Sequence, residues 1–164
     1  MNLSFFPITD SDEAFLFALY SITRAEELAV VPWDNEQKQQ FLQLQFNAQH
    51  QHYTAKYPDG SFQIIKFDNK NIGRLYLAEL EDEIRIIDLL LVPEYRGQGI
   101  GTKILTDILQ SAEKPVRIYL ETFNQSISLF KRLGFQSIRD EGVYCLWESK
   151  AGGYITSKVT AFGK

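Results

Sequence analysis

Three glycines stand at every second position where a helical pattern begins, directly after an apolar segment. The run reads Arg96-Gly97-Gln98-Gly99-Ile100-Gly101. Glycine has no Cβ, so it can adopt positive φ and lets a ligand approach the main-chain N–H groups closely. The first turn of a helix also carries unpaired N–H groups and a partial positive charge, to which Arg96 adds a full charge. The pattern therefore predicts an anion site of the kind that binds phosphate.

Two familiar phosphate loops do not fit this run. A Walker loop needs Gly-Lys followed by Ser or Thr, whereas this chain has Gly101-Thr102-Lys103 and no glycine five positions before Gly101. The dinucleotide motif G-x-G-x-x-G needs a third glycine where Thr102 or Ile104 stands. What remains is Arg-x-x-Gly-x-Gly, and the alternative is an ordinary glycine-rich turn into a core helix.

This loop and a second motif together resemble the GNAT acetyltransferase superfamily. Arg-x-x-Gly-x-Gly after a strand that ends near Pro93 is similar to the coenzyme A pyrophosphate loop of that family. Downstream, Val-Arg-Ile-Tyr-Leu-Glu-Thr-Phe-Asn and then Ser-Ile-Ser-Leu-Phe-Lys-Arg-Leu-Gly-Phe are similar to the family's strand, Asn, short helix and Leu-Gly-Phe ending. The resemblance covers roughly residues 72–147.

The resemblance implies that the loop binds acetyl-CoA as a co-substrate and that the pantetheine arm lies along the strand before the loop. The cofactor contacts that it implies are Leu89, Leu90, Leu91, Arg96, Gly97, Gln98, Gly99, Ile100, Gly101, Thr102, Asn124 and Phe130. A backbone N–H near Leu91 would polarise the thioester carbonyl. Asn124 would hold the arm from the opposite strand, although its residue type fits a helix N-cap equally well.

Transfer of an acyl group to an amine needs a base, because an alkyl ammonium group titrates near about pH 10. Asp88 is the first candidate, since it interrupts a run that is apolar on both strand faces, where a charge is costly unless it is paired or functional. Burial raises the pKa of a carboxyl group toward a useful value. The alternative is a structural Asp at a strand irregularity. Glu121 is the second candidate and Glu79 a weaker third.

One position departs from the family pattern. The helix position that commonly carries a tyrosine, which protonates the departing thiolate, is Phe130 here. Tyr119, Tyr144 or water would have to replace it, and we predict Tyr144 as a catalytic residue. The leading hypothesis is an N-acetyltransferase that acts by direct attack of the amine in a ternary complex. The alternative is a regulatory or partner-binding module that binds acyl-CoA without turnover.

The acceptor is predicted to be a small-molecule or peptide amine, and its identity stays open. In the resembled family, the first two helices and the last hairpin cover the acceptor pocket. They nominate Arg24, Glu26, Glu27, Trp33, Gln45, Gln49, His50, His52, Tyr53 and Tyr144. His50 and His52 are two positions apart and cannot share a helix face, so no metal site is predicted.

The elements that must position these residues follow from the hydrophobic periodicity. Helices are predicted over residues 11–30, 35–56, 100–110 and 126–133, and strands over residues 3–8, 62–67, 72–80, 84–92, 116–121, 135–139 and 143–147. Hairpin strands followed by alternating strands and helices predict a mixed α/β sheet. The resemblance implies that this sheet is mostly antiparallel and splayed around the cofactor, with about four helices. One face of the second helix predicts a buried stripe of Phe41, Leu44, Ala48, His52 and Ala55.

Length and composition limit the remaining possibilities. A chain of 164 residues with 45% hydrophobic content predicts one domain, assigned to residues 1–148, with residues 149–164 as a tail or an extra strand. A net charge of −4 argues against nucleic-acid binding. No apolar run reaches the roughly 18–20 residues that span a membrane. The single Cys145 and the lack of a signal-peptide pattern predict a cytoplasmic protein. The oligomeric state stays open, with a homodimer as one option.

Overall fold

The computed structural model describes residues 2–150, which form a seven-stranded sheet and four α-helices. The strands are β1 Leu3–Pro7, β2 Ser61–Phe67, β3 Lys70–Glu79, β4 Ile84–Leu91, β5 Val116–Glu121, β6 Gln136–Glu141 and β7 Tyr144–Ser149. The helices are α1 Glu13–Ala29, α2 Asn35–Lys56, α3 Ile100–Ser111 and α4 Ile127–Arg132. Short 3₁₀ turns at Asp10–Asp12 and Pro93–Tyr95 precede α1 and follow β4. Every predicted element is present, with its ends shifted by two residues at most.

The strands follow the order β1-β2-β3-β4-β5-β7-β6 across the sheet. All neighbours are antiparallel except β4 and β5, which are parallel. A parallel pair needs a crossover connection, and α3 supplies it here. The prediction of a mixed, mostly antiparallel sheet with four helices is confirmed.

The strands β4 and β5 are paired over three positions only. Ile84, Arg85 and Ile86 lie opposite Val116, Arg117 and Ile118. Beyond these pairs β4 continues to Leu91 and β5 continues to Glu121, without pairing to each other. The sheet therefore opens between residues 87–91 of β4 and residues 119–121 of β5, and this opening is called the splay below.

Strand β4 contains one extra residue, Ile87. In the pairing with β3, Asp88 lies opposite Tyr76 and Ile86 lies opposite Leu77, so that Ile87 has no opposite residue. A bulge of this kind changes the face on which the following side chains lie. Ile86 packs in the core with α3, whereas Asp88 lies on the face that α2 covers.

Each face of the sheet carries its own buried core. The core shared with α3 and α4 includes Ile86, Leu105, Leu109, Val116, Ile118, Leu120, Phe130, Phe135 and Trp147. The core shared with α1 and α2 includes Leu16, Tyr20, Leu28, Leu42, Phe46 and Ile64. Burial of one large apolar side chain is worth roughly 1.5–3 kcal/mol, so each pair of helices is held firmly to its face.

The buried face of α2 differs from the predicted stripe. Leu42 and Phe46 are buried, and the same face continues through the half-buried Gln49 and Tyr53. The predicted stripe is wrong at four exposed positions, Leu44, Ala48, His52 and Ala55. Both sets have helical spacing, so periodicity alone does not choose between them. The contact with α1 decides, because the ring of Phe17 packs edge-on against Phe46 at a centroid distance of 5.6 Å.

The last strand extends one residue past the predicted domain end. Ser149 pairs with Val116 of β5 and is buried, so β7 includes the first residue of the segment that was predicted as a tail or an extra strand. Residues 151–164, which carry the rest of that prediction, lie outside the described residues. Within residues 2–150, no helix combines the length and the apolar character that a membrane span requires.

Candidate active site

The glycine turn exposes main chain at the start of α3. Gly97 and Gly99 have φ of 72° and 82°, a conformation that other residues rarely adopt. A Cβ placed on either glycine would meet no atom within 4 Å, so the space above the turn is open to a ligand. The sequence-based expectation of a close approach to the main chain fits this geometry.

The N–H groups of the first turn of α3 point out of the helix without partners inside it. The first bond of the helix runs from Lys103 N–H to Gly99 O at 3.0 Å. The preceding N–H groups belong to Ile100, Gly101 and Thr102, and helix geometry leaves them unpaired. Together with the helix dipole, they suit the charge of a pyrophosphate group.

Two polar side chains brace the turn from its strand side. Arg96 donates through Nε to the carbonyl oxygen of Leu91 at 2.9 Å. Gln98 donates through Nε2 to the carbonyl oxygen of Glu94 at 2.7 Å. The Arg96 bond uses Nε alone, and its side chain stays exposed, so a positive charge remains available beside the turn.

Alternation along β4 decides which backbone groups face the splay. Val92 N–H donates to Ile72 O at 2.8 Å and therefore points toward β3. Successive residues of a strand point their backbone groups to opposite sides, so those of Leu91 and Leu89 point toward the splay. The backbone groups of Leu90 point toward β3. The expected main-chain contacts with a pantetheine arm are thus geometrically available at Leu89 and Leu91 but not at Leu90.

Asn124 forms a turn at the end of β5. Its Oδ1 accepts the N–H of Ser126 at 2.7 Å, and its own N–H donates to Glu121 O at 2.9 Å. The N-cap of α4 is Ser126, so the predicted alternative of a helix N-cap at Asn124 is wrong and its side chain closes the turn before the helix. Among the described residues, no hydrogen bond engages the Nδ2 of Asn124, so its two donors are free to hold a ligand as well. The cofactor contact of Asn124 stays a prediction.

Asp88 is held by an arginine that the sequence reasoning missed. Arg74 of β3 donates to Asp88 Oδ2 through Nε at 2.8 Å and also through Nη2. The same Nη2 donates to Gln49 Oε1 of α2 at 3.0 Å. Arg74 is only 2% exposed, whereas the Asp88 side chain keeps 20% exposure. The signal that could have found Arg74 is the one that marked Asp88, a lone charge inside an apolar strand.

Aromatic rings surround this ion pair. The guanidinium of Arg74 lies over the ring of Tyr76, 4.7 Å from its centroid. The ring of Tyr53, on α2, meets Tyr76 edge-on at 6.2 Å. Burial is the largest single effect and lowers the pKa of Arg74, but Asp88, Tyr76 and Tyr53 together outweigh it, so the pKa of Arg74 is raised. Arg74 therefore carries its positive charge at every physiological pH.

The two buried phenols stay protonated. Burial is the main cause that raises the pKa of Tyr53, and the negative charge of Asp88 adds to it. Burial also raises the pKa of Tyr76, although the nearby Arg74 acts in the opposite direction. Tyr144 contributes to the shift of Tyr53 as well, which places Tyr144 within electrostatic reach of this group.

The second predicted base lies on the same face of the sheet, across the splay. Leu120 and Ile118 pack in the core under α3, so the alternate residue Glu121 lies on the other face, as Asp88 does. Glu121 is the register partner of Tyr144, which is 48% exposed. No hydrogen bond or ion pair engages the Glu121 carboxylate within residues 2–150. The structure thus brings Asp88, Glu121 and Tyr144 to one face at the splay.

Other nominated residues lie elsewhere or serve other contacts. Phe130 is 3% exposed and packs edge-on against Phe135 at 5.1 Å, so its observed role is packing and its cofactor contact stays a prediction. Glu79 pairs with Lys114 at the strand end away from the splay. The hydroxyl of Tyr119 accepts a bond from Arg139. Of the acceptor-pocket candidates, Gln49 and Tyr53 lie near the ion pair, while Gln45, His50 and His52 are exposed on α2.

The Acetyltransferase (GNAT) family model matches residues 17–135. The chain belongs to the GNAT acetyltransferase family. The match spans α1 through α4, and so includes both walls of the splay and the glycine turn. A search of curated proteins finds no match.

Solved GNAT structures share the fold at low sequence identity. The PaiA N-acetyltransferase of Thermoplasma acidophilum, solved in complex with coenzyme A, superposes with a TM-score of 0.67 and 18% identity, covering 92% of this chain and 99% of that one. An acetyltransferase of Thermus thermophilus gives 0.65 and 15% identity, covering 92% and 97%. A GNAT acetyltransferase of Elizabethkingia anophelis with acetyl-CoA bound gives 0.55 and 18%, covering 91% and 98%. These likenesses establish the fold of the GNAT domain.

Among residues 2–150, no three His, Cys, Asp or Glu side chains are grouped closely enough to hold a metal ion. Cys145 lies half-buried against the core on the α3 side of β7, away from Asp88 and Glu121.

Proposed function

We propose that the protein is an acetyl-CoA-dependent N-acetyltransferase that transfers the acetyl group to a primary amine by direct attack. The observation that carries the proposal is the open main chain at Gly97, Gly99 and the first turn of α3, which lies at the end of a strand that forms one wall of the splay. Membership of the GNAT family supports this reading. So does the presence of coenzyme A or acetyl-CoA in structural neighbours of the same fold.

The residues present fit the co-substrate at both of its ends. The unpaired N–H groups before Lys103, with the charge of Arg96, would hold the pyrophosphate. The backbone groups of Leu89 and Leu91 and the Nδ2 of Asn124 would hold the pantetheine arm. Acetyl-CoA supplies the acetyl group as a thioester. The N–H of Leu91 is placed to donate to the carbonyl oxygen on which negative charge develops.

The reaction balances without a covalent enzyme intermediate. A new bond forms between the amine nitrogen and the acetyl carbon, and the carbon–sulfur bond breaks. The amine arrives as an ammonium ion and loses two protons in all, one to a base and one toward the departing thiolate. The products are the acetamide, the free thiol of coenzyme A and one proton released to solvent.

Glu121 is the base in this proposal. Asp88 faces the same side of the splay, but the Arg74 guanidinium holds it by two hydrogen bonds. These two bonds hold the Asp88 carboxylate against Arg74, so that it is less able to move toward the acceptor amine. Glu121 has no such partner in the described part of the chain. It therefore has the freer carboxylate for removing a proton from the amine.

Tyr144 is the proton source for the departing thiolate. It is the register partner of Glu121 and is exposed at the splay, whereas Phe130 carries no proton that it could donate. A thiol with a pKa of roughly 8.5 is a fairly good leaving group, so this step needs little help. Replacement of Tyr144 by Phe is expected to lower the rate less than the loss of the base.

Thiol release from acetyl-CoA across a panel of primary amines tests the proposal. Release that depends on the amine, with one acetamide formed per thiol, is the expected result. Gly99→Val serves as the control, because it closes the anion site and is expected to abolish both coenzyme A binding and release.

A second function is favoured by one residue. Phe130 stands where the family commonly has a tyrosine that donates a proton. The alternative function is therefore an acyl-CoA-binding module without turnover. Tight binding of acetyl-CoA with no thiol release on any amine would support the module and reject the enzyme.

A further inference from the structure

We propose that Asp88 is the anchor for the ammonium group of the acceptor, and that the acceptor is a primary alkylamine with no carboxylate next to its amine. Arg74 is the positioning residue that holds this anchor in place. The proposal rests on the proposed acetyl transfer and deepens it by naming the class of acceptor.

The two oxygens of the Asp88 carboxylate have different surroundings. Both hydrogen bonds from Arg74 end on Oδ2. Within the described residues, Oδ1 accepts none, and the side chain keeps 20% exposure. An oxygen without a hydrogen-bond donor, on a partly exposed carboxylate that Arg74 holds in place, is suited to accept an N–H of an ammonium ion.

Arg74, the cation that contacts Asp88, is not available to an acceptor carboxylate. Arg74 is 2% exposed, with one face over Tyr76 and with its Nε and Nη2 engaged by Asp88 and Gln49. It therefore cannot turn outward to bind a second anion. A carboxylate beside the acceptor amine would lie close to Asp88 with no compensation from Arg74, and like charges close together oppose binding.

Tyrosine side chains lie around the anchor Asp88. Tyr53 of α2 and Tyr76 of β3 are phenols within electrostatic reach of Asp88, and Tyr53 is half-buried. Their rings and hydroxyl groups are neutral, since burial raises the pKa of Tyr53. Aromatic faces favour a cation and an apolar body. The groups that face Asp88 thus select for a positive amine on a neutral, preferably aromatic, carbon frame.

Three probe amines test the acceptor class with one ring and one amine in common. Phenethylamine has no carboxylate, phenylalanine has one, and phenylalaninamide has the same branching without the charge. We expect kcat/KM for phenethylamine to exceed that for phenylalanine by at least about tenfold, with phenylalaninamide nearer to phenethylamine. Equal rates for phenethylamine and phenylalanine would overturn the acceptor class while leaving acetyl transfer intact. Thiol release with no amine at all would reject the proposed function itself, and the acceptor class with it.

The role of Asp88 is tested by the split between KM and kcat. Asp88→Asn is expected to raise the KM for phenethylamine by about tenfold or more and to leave kcat within about threefold, because an anchor acts in the bound and reacting states alike. Coenzyme A affinity and melting temperature report whether the variant is folded. A loss of kcat at unchanged KM would overturn the anchor. Asp107→Asn, on the exposed side of α3, is the matched control and is expected to change neither constant.

Arg74→Lys provides the conservative test of the positioning residue. Lysine keeps the charge but loses the second hydrogen bond, so the KM for phenethylamine is expected to rise less than in Arg74→Met. If both variants fold and keep the KM of the parent protein, Arg74 does not position Asp88 for the acceptor.

Discussion

Arg74 and Asp88 form their ion pair on a diagonal across β3 and β4. Asp88 lies directly opposite Tyr76, and Arg74 lies directly opposite Leu90. The guanidinium reaches along the strand over the Tyr76 ring to the carboxylate, while Gln49 approaches from α2. Helix α2 and strand β4 are therefore joined through one buried arginine of β3.

Removal of the Arg74 charge should destabilise the fold. For Arg74→Met we expect a loss of about 2–4 kcal/mol in the free energy of unfolding, somewhat below the range for a fully buried pair because Asp88 is partly exposed. Urea denaturation measures it. Arg74→Met combined with Asp88→Asn should recover part of the loss, since no charge is then left without its partner. Lys103→Met, in an exposed pair on α3, is the control with little effect. An Arg74→Met loss as small as this control would contradict the prediction.

Gly99→Val should abolish coenzyme A binding. A β-branched residue at a φ of 82° is strained, and its side chain would occupy the space through which an anion reaches the main chain. Isothermal titration with coenzyme A measures the affinity. Gly134→Val is the matched control, because Gly134 has a φ of 94° and the same open surroundings at the end of α4. If Gly134→Val binds coenzyme A normally, the loss of affinity in Gly99→Val is due to the anion site and not to backbone strain. Unchanged affinity in Gly99→Val would contradict a phosphate-binding role for the glycine turn.

Glu121→Gln should lower kcat by about a hundredfold or more and flatten the acidic limb of the pH profile. The reason is that the amide cannot take the proton of the acceptor ammonium. Asp88→Asn should keep that limb, because its Arg74-bound carboxylate is not the base in our proposal. The pH dependence of kcat/KM for both variants checks this. If the acidic limb is lost in Asp88→Asn and kept in Glu121→Gln, then Asp88 and not Glu121 is the base.

The fold should lose stability in alkali because of two buried phenols. The pKa values of Tyr53 and Tyr76 are raised in the folded protein, so above about pH 10 the unfolded chain loses these protons while the folded protein keeps them. The unfolded state then binds fewer protons, and the free energy of unfolding falls as the pH rises. The stabilisation is complete below about pH 10 and is lost above it.

Urea denaturation between about pH 9 and pH 11 measures this fall. Tyr53→Phe should have a shallower dependence than the parent protein, because one of the two phenols is gone. Tyr144→Phe, which changes an exposed side chain, is the control. The same slope in Tyr53→Phe and in the parent would contradict the assignment.

Strong local patterns made the fold predictable from the sequence. The pairing of side chains across neighbouring strands could not be predicted in the same way. The glycine turn and the strand and helix periods fixed every element to within two residues. The bulge at Ile87 was invisible, because an extra residue hides the alternation of a strand. Ile86 and Leu89 both pack on the α3 side, so β4 reads as apolar on two faces although Arg85 and Asp88 share the other. Without that register, no reasoning from sequence could bring Arg74 to Asp88.

The splay also bears on the mechanics of the molecule. Within residues 2–150, three residue pairs between β4 and β5 join the four-stranded half of the sheet to the three-stranded half. A long ligand between the diverging strands would form hydrogen bonds with both β4 and β5. It would thereby link the two halves of the sheet beyond the three residue pairs that join them. Occupancy should therefore stiffen the sheet as a whole, and slower amide hydrogen exchange at residues 88–91 and 119–121 would report it from both sides at once.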